Sequence, residues 1–106
     1  MEKCFSDSFL CLLIGKPGLP IDKLANMDEV WAVHGKAQGF DHCWLEMRTE
    51  NWWFVYEPQK DKLYEKEEWY KAVSAIPYYR LQKKEWSNLR LKCGHLGPYT
   101  DEERAK

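Results

Sequence analysis

The stretch from Gly39 to Pro58, GFDHCWLEMRTENWWFVYEP, restricts the possible folds more than any other part of the chain. Two apolar runs, His42 to Met47 and Trp52 to Glu57, flank a polar link made of Arg48, Thr49, Glu50 and Asn51. Such runs around a short polar link predict an antiparallel hairpin. Pairing Met47 with Trp52 sets His42 directly opposite Glu57, because each step along one strand is matched by a step back along the other. Directly opposed residues share a sheet face, with Cβ atoms about 4.5 to 5.5 Å apart, so a carboxylate there can hold an imidazole. A slip of one residue would put the two on opposite faces.

The same pairing sorts the hairpin into two faces. One carries Cys43, Leu45, Met47, Trp52, Phe54 and Tyr56, and is the more obvious core. The other carries His42, Trp44, Glu46, Trp53, Val55 and Glu57, apolar enough at Trp44, Trp53 and Val55 to need a cover of its own. A sheet covered on both sides satisfies both faces.

Elements on either side follow from periodicity and punctuation. Residues 4–14, CFSDSFLCLLI, read as a helix with Phe5, Phe9, Leu12 and Leu13 on one stripe and Cys4, Ser8 and Cys11 on a second, smaller one. Gly15, Pro17 and Pro20 stop it, and residues 16–28 read as a loop with a short helical turn at Ile21 to Ala25. Val30 to His34 suits a short strand closed by Gly35, with His34 at its exposed end. Beyond Pro58, which cannot donate to a ladder, Trp69, Val73 and Ile76 give an amphipathic helix over residues 65–75. Tyr78 to Gln82 reads as a strand with Tyr79 and Leu81 inward. Trp86, Leu89 and Cys93 favour a helix before Gly94, although Leu89 and Leu91 also fit a strand, and the polar tail from about residue 100 reads as frayed. The expected architecture is one α+β domain over residues 1–106, with a small central antiparallel sheet and an N-terminal helix packed on it.

Charge and cysteine usage narrow the function. Sixteen basic and seventeen acidic residues give a net charge of -1, whereas a non-specific nucleic-acid binder needs a strongly basic surface. The apolar run Phe9 to Ile14 is too short to span a bilayer, and no small-residue cleavage site follows it. The expectation is a cytoplasmic protein whose four cysteines, Cys4, Cys11, Cys43 and Cys93, stay reduced.

Three residues suggest chemistry when taken together. Cys4 stands at the start of a helix, where unpaired N–H groups and the helix dipole favour a thiolate. A thiol also needs a positioned imidazole, and the imidazole a carboxylate to fix its tautomer. Cys4 as nucleophile, His42 as base and Glu57 as orienter meet those needs, with Cys11 as reserve nucleophile and His34 as reserve base. This arrangement requires the first helix to cover the face that carries His42.

The order of these residues resembles the transglutaminase-like branch of the papain-type cysteine hydrolases. The likeness rests on Cys4 followed by Ser8 and Leu10, on the H-x-W-x-E run of His42, Trp44 and Glu46, and on Tyr56, Glu57 and Pro58. It covers about the first 60 residues. The resemblance implies a papain/transglutaminase-like core, a thiol hydrolase or acyltransferase acting on an amide or peptide bond, and no cofactor. Trp44 and Trp53 are the candidate substrate contacts, and the partner is a peptide or protein.

Two other readings stand beside it. His42, Cys43, Cys93 and His95 offer four zinc-ligand types, but neighbouring strand residues point to opposite faces and no C-x2-C knuckle is present. Alternatively, a non-catalytic member of the same fold could bind protein partners, with Tyr78, Tyr79, Trp86 and Tyr99 as an aromatic patch and GHLGPY either closing the core or presenting Tyr99.

Overall fold

The structure, a computed structural model, describes residues 2–14, 29–49 and 52–105. The loop and short turn expected at residues 16–28 therefore lie outside the described residues. In chain order the elements are α1 (Glu2–Ile14), β1 (Val30–Ala37), β2 (Phe40–Thr49), β3 (Trp52–Glu57), β4 (Lys62–Glu65), α2 (Lys66–Val73), β5 (Ile76–Leu81), α3 (Lys83–Cys93) and α4 (Asp101–Ala105). The five strands form one antiparallel sheet in the order β4-β3-β2-β1-β5, so the α+β class with a central antiparallel sheet holds.

Strands β1 to β4 run as a meander. The chain then crosses one sheet face through α2 and enters β5 at the far edge, beside β1. On the other face α1 and α3 pack together against β1 and β2. Both faces are thereby buried under helices. Phe5, Phe9 and Leu12 of α1 join Val30, Ala32, Cys43, Leu45, Met47, Tyr56, Leu81, Trp86 and Leu89 in the larger core. Val33, Trp44, Val55 and Trp69 form the smaller core under α2.

The hairpin pairs two residues away from the expected register. Leu45 faces Tyr56, Met47 faces Phe54, and Thr49 faces Trp52. Arg48 and Thr49, expected in the turn, belong to β2. Arg48 is held there by Glu29, whose carbonyl accepts its backbone N–H at 3.2 Å and whose carboxylate takes two guanidinium bonds at 3.0 and 3.1 Å. A shift of two leaves every side chain on its expected face. His42 thus sits diagonal to Glu57 instead of opposite it.

Several boundaries differ for identifiable reasons. β1 continues past Gly35 to Ala37, which moves His34 from a strand end into the larger core, fully buried. Gly35 is needed inside this strand: a Cβ there would lie 2.3 Å from the Ile76 carbonyl oxygen and 3.0 Å from the Trp44 ring. The α2 helix is shorter than expected. Its N-cap, Glu65, accepts the backbone N–H groups of Glu67 and Glu68, and Ser74 closes it in the left-handed conformation at φ 51°. Ile76 then begins β5 instead of completing the helix stripe, because the residue before a proline disfavours helical geometry.

Residues 83–93 are helical, capped by a Gln82–Glu85 box and by Gly94. The tail is a helical turn rather than a frayed end. Thr100 and Glu103 cap it reciprocally at 2.9 and 3.1 Å, and Arg104 lies over the Tyr79 ring at 4.3 Å.

Candidate functional site

β2 is regular along its whole length, so its residues alternate strictly between the two faces. Its even-numbered side chains, Phe40, His42, Trp44 and Glu46, point toward α2. Its odd-numbered ones, Cys43, Leu45 and Met47, point toward α1. Glu57 shares the α2 face with Val55, and the Trp69 indole N–H donates to Glu57 Oε1 at 2.8 Å. His42 Nε2 stands 4.0 Å from the same oxygen. The sequence-derived pair is therefore brought together, at a distance too long for a hydrogen bond.

Cys4 is not brought to this pair. It is 1% exposed within the α1 core, and Ser8, one turn further along α1, donates its hydroxyl to the Cys43 carbonyl at 3.4 Å. The sheet thus stands between Cys4 and the side chains of His42 and Glu57. The helix start was expected to favour a thiolate. Instead, burial pushes the Cys4 thiol above its ordinary range, and the backbone N–H at Cys43 offsets this only in part. The reserve base does no better: His34 is on the α1 face but sealed in the core.

The candidate substrate contacts also have other tasks. Trp44 is fully buried under α2, with its ring 4.8 Å from that of Trp69. Trp53 pairs with Arg48, six residues along β2 from His42, or about 20 Å away at about 3.4 Å per residue. There it packs on Trp31 at 5.3 Å and lies under the Lys66 ammonium at 4.7 Å. The last member of the H-x-W-x-E run, Glu46, is a fully buried carboxylate. It accepts the Trp44 indole N–H at 2.9 Å, Arg80 Nε at 3.2 Å and the Tyr70 hydroxyl, and pairs with Lys66 Nζ at 3.3 Å. A buried carboxylate persists only with such a set of donors. Trp44 and Glu46 therefore fasten α2 to the sheet and tie β2 to Arg80 of β5 on the same face.

The aromatic patch is likewise absent from the surface. Trp86 and Tyr99 are buried, and the Tyr99 hydroxyl donates to the His95 carbonyl at 2.6 Å, so GHLGPY closes the core. Of the expected four, only Tyr78 is exposed. For the zinc reading, His42 and Cys43 lie on opposite faces, and His95 Nε2 is 2.7 Å from Glu103. Among the described residues no helix is long and apolar enough to cross a membrane.

The His42–Glu57 pair opens onto a small cavity of about 190 Å³, walled by Ala37, Phe40 and Val73 and ringed by Gln38, Gln59 and Lys60. Phe40 is 64% exposed at its mouth. Lys60 Nζ approaches Glu57 Oε2 at 3.6 Å from a side chain 62% exposed, while its backbone N–H closes the turn by donating to the Glu57 carbonyl. Burial lowers the His42 pKa, Glu57 raises it in part, and Lys60 lowers it again, so the ring is neutral near pH 7. Sequence reasoning missed Phe40 and Lys60. Phe40 was findable from the even-numbered β2 face, and Lys60 from its position one turn after Glu57. Trp69 as the donor to Glu57 had no sequence signal, because it depends on how α2 crosses the sheet. The chain matches no protein-family model, no curated protein and no solved structure with which it was compared.

Proposed function

We propose that this chain is a non-catalytic relative of the transglutaminase-like branch of papain-type hydrolases, acting as a protein-binding module. An N-terminal helix on an antiparallel sheet, with His42 and Glu57 on adjacent strands, supports the relationship. One observation carries the binding reading. His42 and Glu57 face a small open cavity beneath Phe40, while Cys4 is buried on the other side of the sheet. A nucleophile must reach its base within about 3 Å, or through one water, and the intervening sheet separates these two. What remains is a concave site with apolar walls and a buried carboxylate, beside an exposed aromatic ring, a combination suited to anchoring one residue of a partner.

Two measurements test this. Iodoacetamide at pH 7.5 should modify Cys11 and Cys93, both partly exposed, well before Cys4. Peptide binding, read by fluorescence anisotropy against immobile-centre peptide libraries, should disappear in Phe40→Ala. Rapid single-site alkylation of Cys4 that is lost in His42→Ala would overturn the binding reading and restore thiol chemistry.

A further inference from the structure

The cavity beneath Phe40 has the dimensions and the charge of a receptor for one side chain. At about 190 Å³ it falls below the size of ordinary small-molecule sites, which run from about 300 Å³, but holds a single long residue. Its walls, Ala37, Phe40 and Val73, are apolar. Its floor is Glu57, 5% exposed.

Glu57 has acceptor capacity to spare. A carboxylate offers about four lone-pair directions. Oε1 takes the Trp69 N–H at 2.8 Å, whereas the approaches of His42 at 4.0 Å and Lys60 at 3.6 Å are both longer than a good hydrogen bond. A neutral His42 adds no repulsion to an incoming cation. Among the described residues Lys60 is the one cation lining the cavity, and its long exposed side chain can swing into water at little cost.

We propose that this cavity receives a lysine or arginine side chain of a partner peptide, the aliphatic stem lying along Phe40 and Val73 and the charged head bonding to Glu57. The proposal rests on the protein-binding reading above and names its partner chemistry. Lys60 then acts as a tethered substitute that holds the carboxylate until the partner's cation replaces it. A stem of three or four methylenes matches apolar walls over a single buried acid, and a carboxylate accepting from a guanidinium or ammonium makes a bond about twice as strong as a neutral one.

The test uses the full chain and twenty hexapeptide pools, each with one amino acid fixed at a central position, with norleucine as an added uncharged control. The lysine and arginine pools should bind, and norleucine, glutamine and glutamate pools should bind at least about tenfold more weakly. Glu57→Gln retains an oxygen for the Trp69 N–H and should lose about tenfold for the lysine pool while keeping the fold, checked by its thermal transition. Lys60→Ala should strengthen the lysine pool, because the competing cation is gone. Preference for glutamate that is lost in Lys60→Ala would overturn the proposal and make the rim an anion site. Binding of uncharged pools that still needs Phe40 would overturn the cation assignment alone. Failure of every pool would overturn the binding function as well.

Discussion

Acid should destabilise this protein through His34, and the size of the effect can be worked from its surroundings. The Tyr99 backbone N–H donates to the Tyr79 oxygen at 2.6 Å, which leaves the Tyr79 hydrogen for His34 Nδ1 at 2.7 Å. Nδ1 is therefore the acceptor, and the ring proton sits on Nε2. Among the described residues this Nε2 has no hydrogen-bond partner. The rings of Phe5 and Trp86 stand edge-on at 4.9 Å, and Tyr99 stacks at 5.7 Å. Gly97 presses so close that a Cβ would fall 2.6 Å from the imidazole. Burial, helped by the nearby His95 charge, holds the His34 pKa down to about 3.

The unfolded imidazole titrates near 6.5, so below that pH the unfolded chain takes up a proton that the folded one refuses. Stability then falls with pH down to about 3, below which both states are protonated. Integrating between these values gives a loss of about 2 kcal/mol from pH 7 to 5 and about 3 kcal/mol by pH 4. His34→Phe removes the titration and the orphaned donor together, and leaves the Tyr79 hydroxyl without its acceptor. Its absolute stability at pH 7 is thus a balance of terms of about 1 to 3 kcal/mol, but the pH dependence is not. Urea unfolding of both proteins at pH 7, 6, 5 and 4 isolates the effect, since every other group titrates in common. The unfolding free energy of the wild type should fall by about 2 kcal/mol relative to that of His34→Phe between pH 7 and 5, a relative midpoint shift of about 1 M or more. Parallel curves over that range would refute a buried neutral His34.

Two further substitutions probe the α2 face. Glu46→Ala removes the acceptor shared by Trp44, Tyr70 and Arg80 and the partner of Lys66, and should cost about 3 kcal/mol in urea unfolding, the low end for a broken buried pair because Arg80 and Lys66 are partly exposed. Gly35→Ala places a Cβ against the Ile76 carbonyl and should cost about 2 kcal/mol or more; amide exchange should quicken along β5 before the rest of the sheet.

How much of this was legible in the sequence depended on the range of the interaction. The helices and most strands follow from local periodicity, and the two faces of the hairpin follow from parity, which survived a register shift of two. β4 was not legible, because Lys62 to Glu65 offers only Leu63 and Tyr64 as apolar residues and is ordered by pairing with β3. Tyr99 and Trp86 read equally well as surface or core. Their burial is decided by contact with His34, which lies on the far side of strands β2 to β5 in the chain order.

The site diverged from expectation at one physical decision, the face of β2 that α1 covers. Two covers were available, and they differ in what they can satisfy. The α1 helix carries no charged side chain on its buried stripe of Cys4, Phe5, Ser8, Phe9 and Leu12, so it can bury Cys43, Leu45 and Met47 but has nothing to offer a carboxylate. α2 brings Trp69, Tyr70 and Lys66 to the face where β5 also presents Arg80, and these satisfy Glu46 and Glu57. Placing α1 over His42 would strand both acids beneath apolar side chains, at several kcal/mol for each unpaired charge. The acidic residues that make the H-x-W-x-E run look catalytic are thus the ones that exclude the helix carrying Cys4 from their face. A chain that kept Cys4 in contact with His42 would need Glu46 replaced by an apolar residue, and Glu46 is instead the most heavily bonded carboxylate described here.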